Sequence, residues 1–144
     1  MRIYDGNNIR NIALLGESGA GKSNMTSALE FTAKLTNKIP NSSDNVKISS
    51  SLALHAIEYQ SFKFNFFDVP GYVDFFGELE SGLAACDGAI ITVDGTADLS
   101  VGTETALELA DSRNIPRFIF VNKIDSEKAD YEKILLQLRK KYGK

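Results

Sequence analysis

Short apolar runs alternate with amphipathic stretches along the whole chain, and that rhythm sets the expected architecture. Ile12, Ala13, Leu14 and Leu15 form a continuous apolar run that stops at Gly16, the pattern of a parallel strand buried on both faces. Residues 23–35 follow with helical character. Residues 36–47 are polar, include Pro40 and read as a loop. Two candidate strands, 49–59 and 62–67, meet near Gln60 and Ser61; in the second, Phe62, Phe64 and Phe66 alternate with Lys63, Asn65 and Phe67. Residues 72–86 predict a helix with Phe75, Phe76, Leu79 and Leu83 on one side. A buried strand over 88–93, a helix over 101–113 and a strand over 116–121 come next. The last helix, 127–142, carries Tyr131, Ile134, Leu135, Leu138 and Tyr142 in one stripe, which reads as core packing. The βα alternation predicts an α/β fold: a doubly wound, mostly parallel sheet with helices on both faces. Ligands in such folds bind at the C-terminal ends of the strands.

Three polar segments fall at those strand ends. The run Gly16-Glu17-Ser18-Gly19-Ala20-Gly21-Lys22-Ser23 matches G-x-x-x-x-G-K-[ST]. Its glycines let backbone N–H groups turn inward around phosphate oxygens, which bulkier residues would obstruct. Lys22 would reach the β- and γ-phosphates, Ser23 would offer its hydroxyl to Mg²⁺, and the following helix adds its N-terminal dipole. The rival reading, a glycine-rich turn without a ligand, does not need the strand before and the helix after. Asp68-Val69-Pro70-Gly71 follows a strand directly, where Asp68 can hold Mg²⁺ through water and the Gly71 N–H can contact a γ-phosphate. Asn122-Lys123-Ile124-Asp125 follows another strand. A carboxylate at Asp125 accepts two N–H bonds from guanine, a donor pair adenine lacks, and the stem of Lys123 can lie along the purine plane. Asp125 has a second reading as the N-cap of the last helix. As three motifs in order, they predict a nucleotide-binding P-loop domain that takes GTP or GDP with Mg²⁺; an ATP-using P-loop kinase is disfavoured by Asp125 and its neighbours.

Bulk properties narrow the setting without changing the chemistry. The 144 residues suffice for one sizeable core, and a net charge of −3 argues against a broad basic surface for sequence-specific nucleic-acid binding. No apolar stretch reaches membrane-span length and residues 1–8 lack a signal-peptide core, so no membrane association is expected. The single cysteine, Cys86, sits beside Leu83, Ala84 and Ala85 and reads as a buried small hydrophobe. A monomer in a reducing cytoplasm is the expected setting. His55, the one histidine, falls in a strand and reads as a sheet residue rather than a catalytic group.

At these residues the sequence resembles the translational GTPases, and most closely the elongation factor G family in its paralogous, elongation factor G-like branch. The resemblance runs through residues 8–16, 68–75, 101–104 and 115–125. Glu17 and Gly19 stand where the family often has histidine and aspartate, which points to the same branch. The resemblance implies a G domain that binds and hydrolyses GTP with Lys22 and Gly71 at the transferred phosphate, and a ribosome as partner of the complete protein. It also implies that position 72 orients the attacking water. The family has histidine there; this chain has Tyr72, whose phenol donates a hydrogen bond but is a poor base at pH 7. A nucleotide-dependent switch with negligible hydrolysis is therefore the alternative reading. By alignment with the family's effector threonine, Ser49 is a candidate Mg²⁺ ligand, with the plain start of a strand as its rival. The family's G domain continues into a further strand, a loop covering guanine and more domains, so residues 1–144 correspond by this resemblance to a partial G domain.

Overall fold

The computed structural model describes residues 3–37, 52–71, 80 and 83–143. A short 3₁₀ turn over Gly6–Asn8 leads into β1 (Ile9–Leu15), and α1 (Lys22–Thr32) follows. Next come β2 (Ala53–Tyr59), β3 (Phe62–Asp68) and β4 (Gly88–Asp94). The chain then forms α2 (Val101–Ser112), β5 (Arg117–Asn122) and α3 (Tyr131–Tyr142). The predicted helix over 72–86 lies mostly outside the described residues; Glu80, Leu83 and Ala84 within it are helical.

The five strands form one sheet in the order β2-β3-β1-β4-β5, parallel throughout except for the antiparallel β2–β3 hairpin. Alternate residues of the central strands face opposite ways and fill two cores. Ala13, Leu15, Ala89, Ile91 and Val93 pack with Leu107 and Ala110 of α2 and with Ile134 and Leu138 of α3. Leu14, Ile57 and Phe66 face the other side, where Met25 and Leu29 of α1 cover them. The continuous apolar runs follow from this: a central strand covered on both faces has no solvent side to keep polar.

Several boundaries differ from the sequence expectation: the first helix ends at Thr32 rather than residue 35, the second strand begins at Ala53, and two further shifts have a visible cause. β1 begins at Ile9 rather than Ile12, because Arg10 and Asn11 pair with Phe64 and Asn65 of β3 and the Asn65 amide donates to the Asn11 side chain at 2.8 Å. The last helix begins at Tyr131 rather than near residue 127, since Ser126 and Ala129 close successive turns with N–H bonds to the Lys123 and Ser126 carbonyls. Tyr131 is consequently half exposed at 51% and leaves the apolar stripe, while Ile134 and Leu138 are buried. His55 is a sheet residue that ties β2 to α1 through Glu30 at 2.9 Å.

Candidate functional site

The C-terminal ends of β1, β3, β4 and β5 bring the three polar segments to one edge of the sheet. The loop after β1 turns through Gly16, Gly19 and Gly21, all with positive φ, before α1 begins at Lys22. At Gly21 the glycine is required by a neighbour as well as by its φ of 101°: a Cβ there would run into the side-chain amide of Asn122. That amide, at the end of β5, donates to the Ala20 carbonyl at 2.9 Å and so fastens the loop after β5 to the loop after β1.

Lys22 is buried, with 7% exposure, and its ammonium donates to the Gly16 carbonyl at 2.8 Å and the Glu17 carbonyl at 3.0 Å. Burial pulls its pKa below the ordinary lysine value, and the charges of Asp68 and Glu17 oppose that pull. The loop therefore concentrates a cation whose hydrogen bonds go to backbone oxygens, which phosphate oxygens can replace.

Asp68, the last residue of β3, is 2% exposed. Its Oδ2 accepts from the Ser23 hydroxyl at 3.0 Å, and its Oδ1 is buried without a hydrogen-bond partner. An orphaned carboxylate oxygen beside a hydroxyl is a hard-oxygen donor set of the kind Mg²⁺ takes, so the residues present fit the ion. Among the described residues no group of three or more His, Cys, Asp or Glu could hold a metal, and Ser23 and Asp68 are the candidate donors within that part of the chain. Gly71, just beyond, lies so close to the loop that a Cβ on it would collide with the Ser18 nitrogen and the backbone of Glu17 and Gly16. Ser49 and Tyr72 lie outside the described residues.

At the opposite end, Lys123 adopts φ 59° and its ammonium meets Asp94 Oδ2 at 2.5 Å. Asp125 is exposed in the turn that follows. The N-cap of α3 is Asp130, whose carboxylate accepts from the Lys133 N–H at 2.9 Å, so the helix-capping role does not fall to Asp125. Asp94 and Thr96 were not among the residues singled out from the sequence. The signal was a carboxylate ending a buried strand, at the same level as Asp68 and Asn122.

The family described as elongation factor Tu GTP binding domain matches residues 7–144. Ribosome-releasing factor 2, mitochondrial, of Culex quinquefasciatus is 34% identical over 148 residues, covering 94% of this chain and 20% of that protein. The protein of the same name from Drosophila grimshawi is 33% identical over 152 residues, with 97% of this chain and 21% of that protein covered. The chain thus spans about a fifth of the length of the curated relatives it matches. A crystal structure of a Thermus thermophilus protein superposes with a TM-score of 0.84 at 29% identity, over 96% of this chain and 23% of that one. Translation elongation factor SelB from Methanococcus maripaludis, solved with the GTP analogue GppNHp, shares the fold at TM-score 0.69 and 21% identity, over 95% of this chain and 25% of that one.

Proposed function

Because the chain belongs to the elongation factor Tu GTP-binding domain family, we propose that it binds GTP and GDP at the edge formed by residues 16–23, 68–71 and 122–125, as the G domain of an elongation factor G-like GTPase. The observation that carries the reading is the Asn122 to Ala20 hydrogen bond, which holds a guanine-type loop against a phosphate-type loop. The N–H groups of residues 17–23 would cradle the phosphates, with Lys22 exchanging its two carbonyl partners for phosphate oxygens. Ser23 and Asp68 would hold Mg²⁺, whose chemistry is to neutralise charge on the phosphate oxygens. The Asp125 carboxylate would accept from guanine, and leaving it unpaired against adenine would provide the discrimination. Gly71, packed on the loop, would be displaced or drawn in according to whether a γ-phosphate is present.

For the complete protein, GTP hydrolysis coupled to a ribosomal step is the reading that the family and the relatives' names support. Those names carry the word mitochondrial, whereas the bulk properties of the sequence fit a reducing cytoplasm; imaging the tagged full gene product separates the two. No helix among the described residues is long and apolar enough to cross a membrane. Titration with labelled GDP, GTP and ATP tests the base assignment, and tighter ATP binding sinks it. Lys22→Ala is expected to abolish binding, and unchanged affinity would remove the phosphate-loop claim. Tyr72 motivates the second reading, a switch with negligible hydrolysis. Phosphate release with and without ribosomes, from wild type and Tyr72→His, distinguishes it: no acceleration in the variant refutes the role given to position 72.

A further inference from the structure

β4 ends beside β5 with Asp94 in register with Asn122, and the turn that leaves β4 is bonded to both ends of the loop after β5. The Gly95 N–H donates to the Asn122 carbonyl at 2.9 Å, and the Gly95 carbonyl accepts from the Asp130 N–H at 2.9 Å, where α3 is capped. Inside this bracket both oxygens of the Asp94 carboxylate are committed. Oδ1 accepts from the Thr96 N–H at 2.9 Å and from the Thr96 hydroxyl at 2.6 Å. Oδ2 accepts from the Lys123 ammonium at 2.5 Å.

The consequence concerns the stem of Lys123. A lysine in a loop ordinarily samples many rotamers, and a ligand that packs along its methylenes must order them at each binding event. Here the ammonium is bonded back to β4 and the backbone sits at φ 59°, so the stem, although 40% exposed, has a partner at its far end and a defined start. Thr96, with two bonds to Oδ1, favours the carboxylate orientation that aims Oδ2 at Lys123.

We propose that Asp94, clamped by Thr96, is a positioning residue for the base site: it holds Lys123 extended so that its stem is a ready-made shelf for the purine face. This rests on the guanine-nucleotide reading above. In this proposal Asp94 acts only through Lys123. Its removal should therefore weaken binding of the base by the amount Lys123 contributes, and no more.

A double-mutant cycle on the full chain tests this, with labelled GDP as probe. Asp94→Asn keeps the size and the acceptor toward Thr96 but loses the charge; it is expected to bind GDP about tenfold more weakly, the order seen for neighbours in one ion-pair network. Asp94→Asn combined with Lys123→Ala is expected to bind no more weakly than Lys123→Ala alone. Thr96→Val is expected to give a smaller loss, about two- to threefold, that also vanishes in the Lys123→Ala background. A merely structural role would instead lower the nucleotide-free unfolding midpoint and add to the Lys123→Ala loss. Wild-type affinity in Asp94→Asn, or additive losses, overturns the inference. Should Asp94→Asn not fold, the Thr96→Val cycle decides in the same terms. If the wild type binds no GDP, the guanine reading falls and this inference with it. If it binds GDP and Asp125→Asn weakens that binding, the reading stands and the Asp94 arm alone decides.

Discussion

Gly16 and Gly19 sit in one loop, both with positive φ, yet a methyl group added to each meets different surroundings. At Gly16, with φ 124°, the new Cβ would be driven into the backbone carbonyl of Thr92. Thr92 is fully buried in β4, which is paired with β1 on one side and β5 on the other, so that carbonyl has no direction in which to yield. At Gly19, with φ 83°, nothing lies within 4 Å of the Cβ. Gly19→Ala therefore carries the dihedral penalty alone, about 1–2 kcal/mol. Gly16→Ala adds to a similar or larger dihedral term the displacement of a central strand, bringing its cost to about 3–5 kcal/mol by the usual scale of backbone strain and overpacking. That is a large part of the about 5–15 kcal/mol that holds a domain together. A difference of roughly 2–3 kcal/mol separates the two, worth about 6–12 °C in unfolding midpoint for a domain of this size. Thermal unfolding followed by far-ultraviolet circular dichroism, without nucleotide, measures it. If Gly16→Ala melts at or above the midpoint of Gly19→Ala, the collision argument is wrong.

Other expectations follow from single contacts. Asn122→Ala removes the bond to Ala20 and should cost about 1 kcal/mol in denaturant unfolding while weakening GDP binding; an unchanged variant would mean the tether does nothing. Ile134→Ala should cost about 2–5 kcal/mol because Ile134 is 1% exposed, whereas Tyr131→Ala should stay within about 0.5 kcal/mol; equal losses would contradict the packing of α3. Cys86 is half-buried at the edge of the core rather than fully buried as the sequence suggests, and that partial burial, aided by Asp87, pushes its thiol up to about 11. Since only the thiolate reacts, iodoacetamide at pH 8 should alkylate it roughly a hundredfold more slowly than free cysteine, with the rate still rising beyond pH 10. Fast modification at pH 8 would rule that burial out.

Much of the candidate site's geometry was legible because the motifs that mark it are rare combinations. Glycines at fixed spacing before Lys22 and Ser23, and the Asp68-Val69-Pro70-Gly71 and Asn122-Lys123-Ile124-Asp125 segments at strand ends, can be recognised without knowing what they touch. The central strands were legible for the same reason: burial on both faces erases polar positions. What escaped depended on neighbours far along the chain. Arg10 and Asn11 are strand residues only because β3 lies beside them, and Asp94 acquires its role only from the register that sets it next to Asn122. The helix start at Tyr131 was decided by which of several acidic residues captured the free N–H groups. Asp130 did so, and the residues before it closed turns instead.

The bond between Asn122 and Ala20 joins residues 102 positions apart. During synthesis the phosphate loop leaves the ribosome first, and at about 5–20 residues per second Asn122 follows it some 5–20 s later. Until then β4 has no partner on its outer side and the Ala20 carbonyl has no amide to accept from. A growing chain of this protein therefore carries its glycine loop for seconds before β5 can tether it, and if the proposed site is right, nucleotide binding reports that β5 has docked.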